Sequence, residues 1–532
     1  MMAAEPRRAR HWILSAGKLS LGTLLSRVLG VFRDILRAHY FGTGIAADAF
    51  TVAFRLPNML RALFAEGALS AAFVPVLSEA IEKGERDEWK RFVLSIATLL
   101  ALTLTLVCLI AILLAPYLLP IITPGFGRIP GKLELTIQLT QWLFPYLLLI
   151  GMATLAMATL NSLRHFTAPA LSAAVLNLAM IASMLWVVPR LGQDQSRQVF
   201  GLAGGVIVGG ILQLAIQLPP LLRHRLAIPF QARLRDPRIR RVGLLMFPAV
   251  LGMGVAELNA FVDTFLASLL PPGSVAALEY GHRVMQLPLG VFAVAIGTAV
   301  LPTLSRHAAR GELESLEETF NQALRLILFI LLPMTGLFLV LHRPLLALLF
   351  EHGAFAGGNS LEMTSSAFVF YTTGMCFYGS VKVIVPMFYA RQNTRTPVRA
   401  AITAMIANIV LNVILMQFLA LGGLALATAL ASGLNVLLLM RALRRQYGIR
   451  PRRGVLASAL RAAAAAALAT AAAGGGMLLG TRLRLLPQVP GLGPLAVGIA
   501  AGAVVYLAAA WLLGSSEMHF LLGFLKRRSA KS

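Results

Sequence analysis

Long apolar segments recur along almost the whole chain, and they limit its possible folds more than any other feature of the sequence. Each is close to the roughly 20 residues that a helix needs to cross a bilayer. Of the 532 residues, 58% are hydrophobic and only 13% are charged, whereas a soluble protein has about a quarter charged. A soluble enzyme, a disordered chain and a fibrous repeat are therefore excluded. The runs are also too continuous for the strands of a membrane barrel, which alternate over about ten residues.

The sequence thus predicts an all-α polytopic membrane protein with about fourteen transmembrane helices. The first two spans and the eighth have the lowest hydropathy, because they contain charged residues. The predicted limits are 19–41, 46–71, 92–119, 134–160, 169–188, 199–222, 242–270, 275–304, 324–349, 361–390, 397–419, 421–440, 456–480 and 491–514.

Basic residues predict the orientation of these spans. The connections after spans 6 and 12 hold seven and six arginines, whereas GTGIAA after span 1 and PPGS after span 7 hold no basic residue. Because basic connections stay in the cytoplasm, the even-numbered connections and both termini are predicted to be cytoplasmic. The net charge of +25 lies mostly in these short tracts, which argues against nucleic-acid binding. The basic N-terminus is interpreted as a cytoplasmic tail and not as a cleaved signal peptide.

The motifs that the sequence lacks narrow its chemistry. Cys108 and Cys376 each lie in an apolar run, with no CxxC or Cys/His cluster, which argues against structural zinc and a disulfide framework. The sequence has no GxxxxGK[ST] and no soluble insertion long enough for a catalytic domain. We therefore predict a transporter, not an enzyme, driven by an ion gradient, the membrane potential or the substrate gradient.

A weak internal repeat predicts two parallel halves. FVPVLSEAIEKGE at 73–85 resembles VLPTLSRHAARGE at 300–312, an offset of 227, and Pro169 and Pro397 lie 228 apart. An offset of six spans gives six-helix lobes at 1–222 and 242–440, followed by two extra helices at 456–514. Transporters with such repeats bind substrate between their halves. The alternative is a chance similarity of two helix ends.

Charged residues inside the predicted spans indicate a wet cavity. Each would cost roughly 2.5–3.5 kcal/mol at mid-depth against lipid. Acids close in sequence are too few to neutralise Arg33, Arg61 and Arg283, which favours contact with an anionic substrate. Arginine suits phosphate in particular, because its planar guanidinium binds two oxygens at once. The alternative is a set of internal salt bridges. The charges in spans 1, 2, 8 and 10 are Arg27, Arg33, Asp34, Arg37, Asp48, Arg55, Arg61, Glu66, Glu279, Arg283 and Lys382.

A second polar set occurs in spans 7, 11 and 12. Asp263, Asn408, Asn412 and Thr428 offer one carboxylate with amide and hydroxyl oxygens, which can hold a small hard cation such as Na⁺. The alternative is hydrogen bonding between helices, which Asn and Thr commonly provide in membranes.

Residues 26–80, which begin SRVLGVFRDILRAHYFGTGIAADAF and continue through LPNMLRALF, closely resemble the start of the MurJ (MviN) family of lipid II flippases. This family belongs to the multidrug/oligosaccharidyl-lipid/polysaccharide exporter superfamily. The resemblance continues through RQNTRTP at 391–397 and the fourteen-span plan, so it covers nearly the whole chain.

The resemblance implies roles for individual residues. The family's cavity arginines match Arg27, Arg33, Arg61 and Arg283, and its essential acid matches Asp48, which we expect to pair with an arginine in one conformational state. The sodium site of some members matches Asp263, Asn408, Asn412 and Thr428, and sodium is the only cofactor that the resemblance implies. The sequence departs from the family pattern in two places. His282 and Gln286 replace acids found in many relatives, which leaves Glu279 to balance Arg283. Asn412 stands where some members have Asp.

The sequence therefore predicts an inner-membrane flippase that moves lipid II to the periplasmic leaflet by alternating access. The pyrophosphate is expected at Arg33, Arg61 and Arg283, and the lipid tail in a groove formed by spans 13 and 14. The expected partners are lipid II, membrane lipids and cell-wall synthesis proteins. The alternatives are a cation-coupled multidrug exporter of the same fold, a flippase for another polyprenyl-linked glycan, and a non-transporting membrane scaffold.

Overall fold

The computed structural model describes residues 25–62, 68–83, 86–226, 236–450, 453–483 and 491–518, and it contains helices and no strands over these residues. The helices are α1 (25–41), α2 (Ile45–Arg61), α3 (Ala68–Glu82), α4 (Arg86–Ile122), α5 (Lys132–Leu143), α6 (Pro145–Ser162), α7 (Thr167–Ala182), α8 (Gln195–Ala215), α9 (Leu218–Arg223), α10 (Pro237–Ser268), α11 (Ser274–Pro288), α12 (Val294–Arg310), α13 (Leu313–Phe350), α14 (Ser360–Thr373), α15 (Met375–Ala390), α16 (Arg395–Tyr447), α17 (Arg453–Arg482) and α18 (Leu492–Leu512).

These helices confirm the all-α polytopic fold. By length and apolar composition, nine helical segments of the described residues can cross a membrane, or ten if the bent pair α14–α15 forms one span. α16 is 53 residues long and contains two predicted spans, since Ala420 breaks it with φ +45°. That break separates the predicted spans 397–419 and 421–440. The helices are consistent with fourteen spans.

The chain forms two compact units. The first comprises Met1–Ala276 with Gly353–Phe355, and the second comprises Ala277–His352 with Ala356–Ser532. α10, which opens the second predicted lobe, packs in the first unit against α3. The lobes predicted from the repeat remain a prediction.

An ion network fixes the start of α10 within the first unit. Glu79 on α3 accepts hydrogen bonds from Lys83 Nζ and Arg241 Nη1, both at 2.8 Å. These contacts, with that of Lys83 the larger, lower the pKa of Glu79. Arg238 binds Asp236 and lies over the Phe92 ring, 5.5 Å from its centroid. The basic start of α10 is thereby attached to α3 and α4.

Small residues let the two C-terminal helices pack closely in the second unit. The α17 residues Ala465, Ala469 and Ala473 are fully buried. A Cβ on Gly502 of α18 would lie 3.1 Å from the backbone oxygen of Ala469 on α17, so the glycine lets the two helices approach closely. The lipid-tail groove predicted for residues 456–514 remains a prediction.

Candidate substrate cavity and gating cluster

A cavity of about 220 Å³ lies among α1, α2, α6, α7 and α8 of the first unit. Its lining among the described residues carries two arginines and no carboxylate, so the wall is cationic. The polar residues that matter for its chemistry are Ser26, Arg33, Arg61, Ser172, Asn177 and Gln213. Charged and amide side chains inside a span either pair with protein groups or face a water-filled or ligand-filled space.

Arg33 is held rigidly in this wall. Its Nη2 and Nε donate to Asp34 Oδ1 at 2.7 and 3.1 Å, and its Nη1 donates to Asn177 Oδ1 at 2.9 Å. The side chains of Arg33 and Asp34 are only 12% and 4% exposed. The expectation that Arg33 lacks a nearby acid was wrong. Adjacent residues point about 100° apart on a helix, but the long arginine side chain can fold back across that angle.

Arg61 shares the cavity wall with Arg33, whereas Arg27 does not line it. Arg61 is the last residue of α2 and is half-buried. Arg27 lies half-buried on α1 and is absent from the described lining of this cavity. The structure therefore brings together two of the four predicted substrate arginines. The fourth, Arg283, belongs to the second unit.

Asp48 lies near the opposite end of α2, in a fully buried cluster. Its Oδ2 accepts from Lys132 Nζ at 2.6 Å and from the Gly273 amide at 2.7 Å, and its Oδ1 accepts from the Ala276 amide at 2.8 Å. Asp48 and Lys132 are each 1% exposed. In this conformation the partner of Asp48 is Lys132 at the start of α5 and not an arginine, and pairing with an arginine in another state remains a prediction.

The Asp48 cluster caps the first turn of α11. Gly273 and Ala276 supply two of the amides that a helix start leaves without internal partners, and a carboxylate there also meets the positive end of the helix dipole. Gly273 has φ +92°, and a Cβ on it would lie 2.1 Å from Thr43 O. The Lys132 ammonium also lies 4.0 Å from the centroid of the Phe126 ring. The starts of α2, α5 and α11 are thus tied together at one carboxylate.

Arg55 ties α2 to α10 within the first unit. It donates to Ala260 O at 3.3 Å and to the Thr264 hydroxyl. Glu257 lines the same small cavity as Arg55. Arg55 therefore has a structural role between two helices.

Arg283 has an acidic partner in the second unit. Its Nη2 donates to Glu279 Oε1 at 2.7 Å, one turn earlier on α11. Glu279 thus balances Arg283 where the acids of the family pattern are missing, as the sequence predicted. His282 Nε2 lies 3.2 Å from Gln286 Nε2, and its ring centroid lies 5.0 Å from that of Tyr371. His282 thus packs against α14.

We expect Glu279→Gln to lower flipping about fivefold, since a partly exposed ion pair contributes about 1 kcal/mol. In the His282→Asp background the same change should have almost no effect, because the introduced carboxylate then balances Arg283. The initial flipping rates of the four variants test this coupling. Purely additive effects would show that residues 279 and 282 do not share a role around Arg283.

The predicted sodium residues do not form a cation site within either unit. In the second unit, Asn412 Nδ2 donates to Asn408 Oδ1 at 2.8 Å and Asn408 Nδ2 donates to Thr428 Oγ1 at 3.3 Å. Two of the three candidate oxygens thus accept hydrogen bonds from one another's side chains. The only carboxylate of the set, Asp263, lies half-buried on α10 of the first unit. The three residues of the second unit thus bind one another and by themselves do not fit a sodium ion, so we derive no step through it; the four-residue site that includes Asp263 remains a prediction.

Replacing Na⁺ with K⁺ should therefore leave the thermal unfolding of the purified chain unchanged. A site filled at 100 times its Kd would add about 2.7 kcal/mol of stability, a large and measurable shift. A Na⁺-dependent rise in the unfolding midpoint that Asp263→Asn removes would contradict this expectation.

Sequence reasoning missed Lys132, Asn177 and Gln213. Lys132 lies in a predicted periplasmic connection, outside the predicted spans where paired charges were expected. Asn177 is the only amide in the apolar run 168–182. The logic applied to Asn408, that an amide inside a span needs a partner, would have found it.

Sequence comparisons match this chain to one family. Residues 37–485 match the family model described as lipid II flippase MurJ. The chain is 37% identical over 436 residues to a probable lipid II flippase MurJ of Vibrio cholerae serotype O1, covering 80% of this chain and 82% of the relative. It is 35% identical over 439 residues to the lipid II flippase MurJ of Burkholderia cenocepacia, covering 82% and 84%.

Solved structures show the same similarity. A lipid II flippase MurJ in an inward closed conformation matches with a TM-score of 0.76 and 26% identity, over 93% of this chain and 98% of the other. An inward-facing multidrug transporter of the MATE family matches with a TM-score of 0.68 and 14% identity, over 85% and 98%. The second match shows a common fold alone.

Proposed function

The chain belongs to the lipid II flippase MurJ family, and we propose that Arg33 and Arg61 form the site at which it binds the pyrophosphate of lipid II. It is a multi-pass inner-membrane transporter that moves the lipid-linked peptidoglycan precursor across the bilayer. The observation that carries the proposal is the cavity of the first unit, with two arginines and no carboxylate in its described lining.

The charge of this cavity matches an anionic head group. Hydrogen bonds to Asp34 and Asn177 direct the guanidinium of Arg33 and keep it from folding away. A guanidinium has five N–H donors, and those on Arg33 that face neither partner remain for phosphate oxygens. A preoriented arginine loses less side-chain freedom on binding, which raises its affinity.

The position of the cavity fits loading from the cytoplasm. Ser26, Arg61, Pro169 and Gln213 all lie near helix ends that continue into connections predicted to be cytoplasmic. Asp48 and Arg61 are thirteen residues apart on α2, which corresponds to about 20 Å of helix. The Asp48 cluster therefore lies near the predicted periplasmic end.

In the proposed cycle, the Asp48 cluster stabilises the state that loads substrate. The carboxylate releases Lys132 and the α11 amides when the periplasmic side opens, because a switch must have different contacts in its two states. Arg283 exchanges Glu279 for phosphate, and Arg27 attracts the head group from the cytoplasm. Spans 13 and 14 guide the lipid tail, which stays in the bilayer while the head group crosses.

The rival functions fit the cavity less well. A multidrug exporter that takes cationic compounds needs acids in its cavity, whereas the described lining has none. A scaffold has no use for a cationic cavity, since each buried charge costs free energy. A flippase for another polyprenyl-linked glycan would share the pyrophosphate site and differ only in the sugar that it accepts.

Complementation tests the function in cells. We expect the chain to restore growth and shape to a bacterium depleted of its own lipid II flippase, and to prevent the accumulation of lipid II. Normal insertion without rescue, with lipid II still accumulating, would contradict the proposal.

A further inference from the structure

The cavity of the first unit has two kinds of polar group in its lining. Arg33 and Arg61 contribute guanidinium groups, and Gln213 of α8 with Ser172 of α7 contributes amide and hydroxyl groups. At about 220 Å³, the cavity equals the share of about seven liquid waters at roughly 30 Å³ each. It can hold a phosphate together with part of one sugar ring, but not a complete disaccharide-pentapeptide.

The orientation of the Gln213 amide is fixed by its neighbours. Its Nε2 donates to Ser172 O at 3.1 Å, and two carbonyl oxygens cannot hydrogen-bond each other, so the nitrogen must face α7. One turn later, Gln217 Nε2 donates to Gln213 O and to Ala153 O, both at 3.0 Å. Gln213 is 4% exposed and Gln217 is fully buried. The amide is therefore a built part of the wall and not a mobile surface group.

The carbonyl oxygen of Gln213 lacks a donor within the described part of the chain. A buried acceptor without a donor is costly, and lipid offers no hydrogen bond to replace it. Phosphate cannot supply one, because its ionised oxygens only accept. A substrate that displaces water from this space must supply a hydroxyl or an N–H group beside the phosphate in its place.

We propose that Gln213 Oε1 accepts a hydrogen bond from the first sugar of the lipid-linked substrate, at the ring position next to the anomeric phosphate. This inference rests on the proposed pyrophosphate site at Arg33 and Arg61. It makes Gln213 a specificity-determining residue that selects a sugar with a donor at C2, as an acetamido N–H or a hydroxyl, over one with none.

Three polyprenyl pyrophosphate lipids test the proposal by titration against the purified full-length chain in nanodiscs. Their single sugars carry an acetamido group, a hydroxyl or only hydrogen at C2. The wild type should bind the first two about three- to tenfold more tightly than the 2-deoxy lipid, the range for one neutral hydrogen bond. Gln213→Met should bind all three with the affinity that the wild type has for the 2-deoxy lipid.

Gln217→Met is the matched control, since Gln217 is the same residue type one turn along and does not line the cavity in the described structure. It should lower thermal stability and keep the preference among sugars. Arg33→Ala should weaken binding of all three lipids equally, and failure of that result alone would contradict the pyrophosphate site. Wild-type binding that ignores the C2 group, or a preference that survives Gln213→Met, would overturn the role of Gln213.

Discussion

Arg33→Ala and Arg61→Ala are each expected to slow lipid II flipping about 100-fold or more. Each change removes up to two charge-assisted hydrogen bonds to phosphate, of about 1.5–3 kcal/mol each, and every 1.4 kcal/mol is about tenfold. Lysine at either position should restore only part of the rate, since an ammonium keeps the charge and lacks the planar fork. The measurement is the initial flipping rate in proteoliposomes at equal amounts of inserted protein.

Two further variants separate substrate binding from folding. Arg33→Ala removes one partner of Asp34, whose side chain is only 4% exposed, and a buried charge that loses a partner lowers stability. The double variant Arg33→Ala/Asp34→Asn avoids this loss. The double variant should be more stable than the single variant and equally slow. Arg197→Ala is the matched control. That arginine is 81% exposed, and its ion pair with Asp194 is long, at 3.9 Å. Wild-type flipping by the Arg33 double variant would remove Arg33 from the site.

Asp48→Asn and Lys132→Met are each expected to slow flipping at least tenfold and to weaken lipid II binding by a smaller factor. Each breaks a buried ion pair and leaves one charge without its partner, which costs about 3–5 kcal/mol. That cost falls on the conformation described here, so the equilibrium shifts away from it by about 100-fold or more. The state that loads substrate is then less populated, so apparent binding weakens, and each cycle must also return to that state before it can load again.

The double variant Asp48→Asn/Lys132→Met measures how strongly the effects of the two charges depend on each other. Removing both charges often costs less than removing one. The double variant should therefore lose at least about 1 kcal/mol less free energy of unfolding than the sum of the two single losses. The exposed pair Glu79–Lys83 supplies a control, since Lys83→Met breaks an ion pair of the same type at the surface. Normal flipping by Asp48→Asn would show that the carboxylate only caps α11.

The spans and the cationic cavity could be predicted because lipid requires apolar helices and makes a buried charge costly. A lipid environment requires long apolar helices, which is why the break at Ala420 falls between two predicted spans. The same environment makes each buried charge costly, so Arg33 and Arg61 were expected to share a wet space.

The partners of these charges could not be predicted. Lys132 is 84 residues from Asp48, and Asn177 is 144 residues from Arg33. Which distant side chains meet depends on how the helices pack, and in a membrane that packing rests on small-residue fit, whose spacing does not identify the partner helix. Asp34 was missed for a different reason, since helical spacing favours pairs three, four or seven residues apart over adjacent ones.

Translocation of fluorescent lipid II by the purified chain in proteoliposomes tests the central claim most directly. The label exposed on the outer leaflet is quenched with a membrane-impermeant reductant, and the protected fraction is followed with time. We predict that label initially confined to the inner leaflet becomes accessible in vesicles with wild-type protein and stays protected in vesicles with Arg33→Ala/Asp34→Asn. Equal protection with wild-type protein and in protein-free vesicles would contradict the claim that this chain flips lipid II.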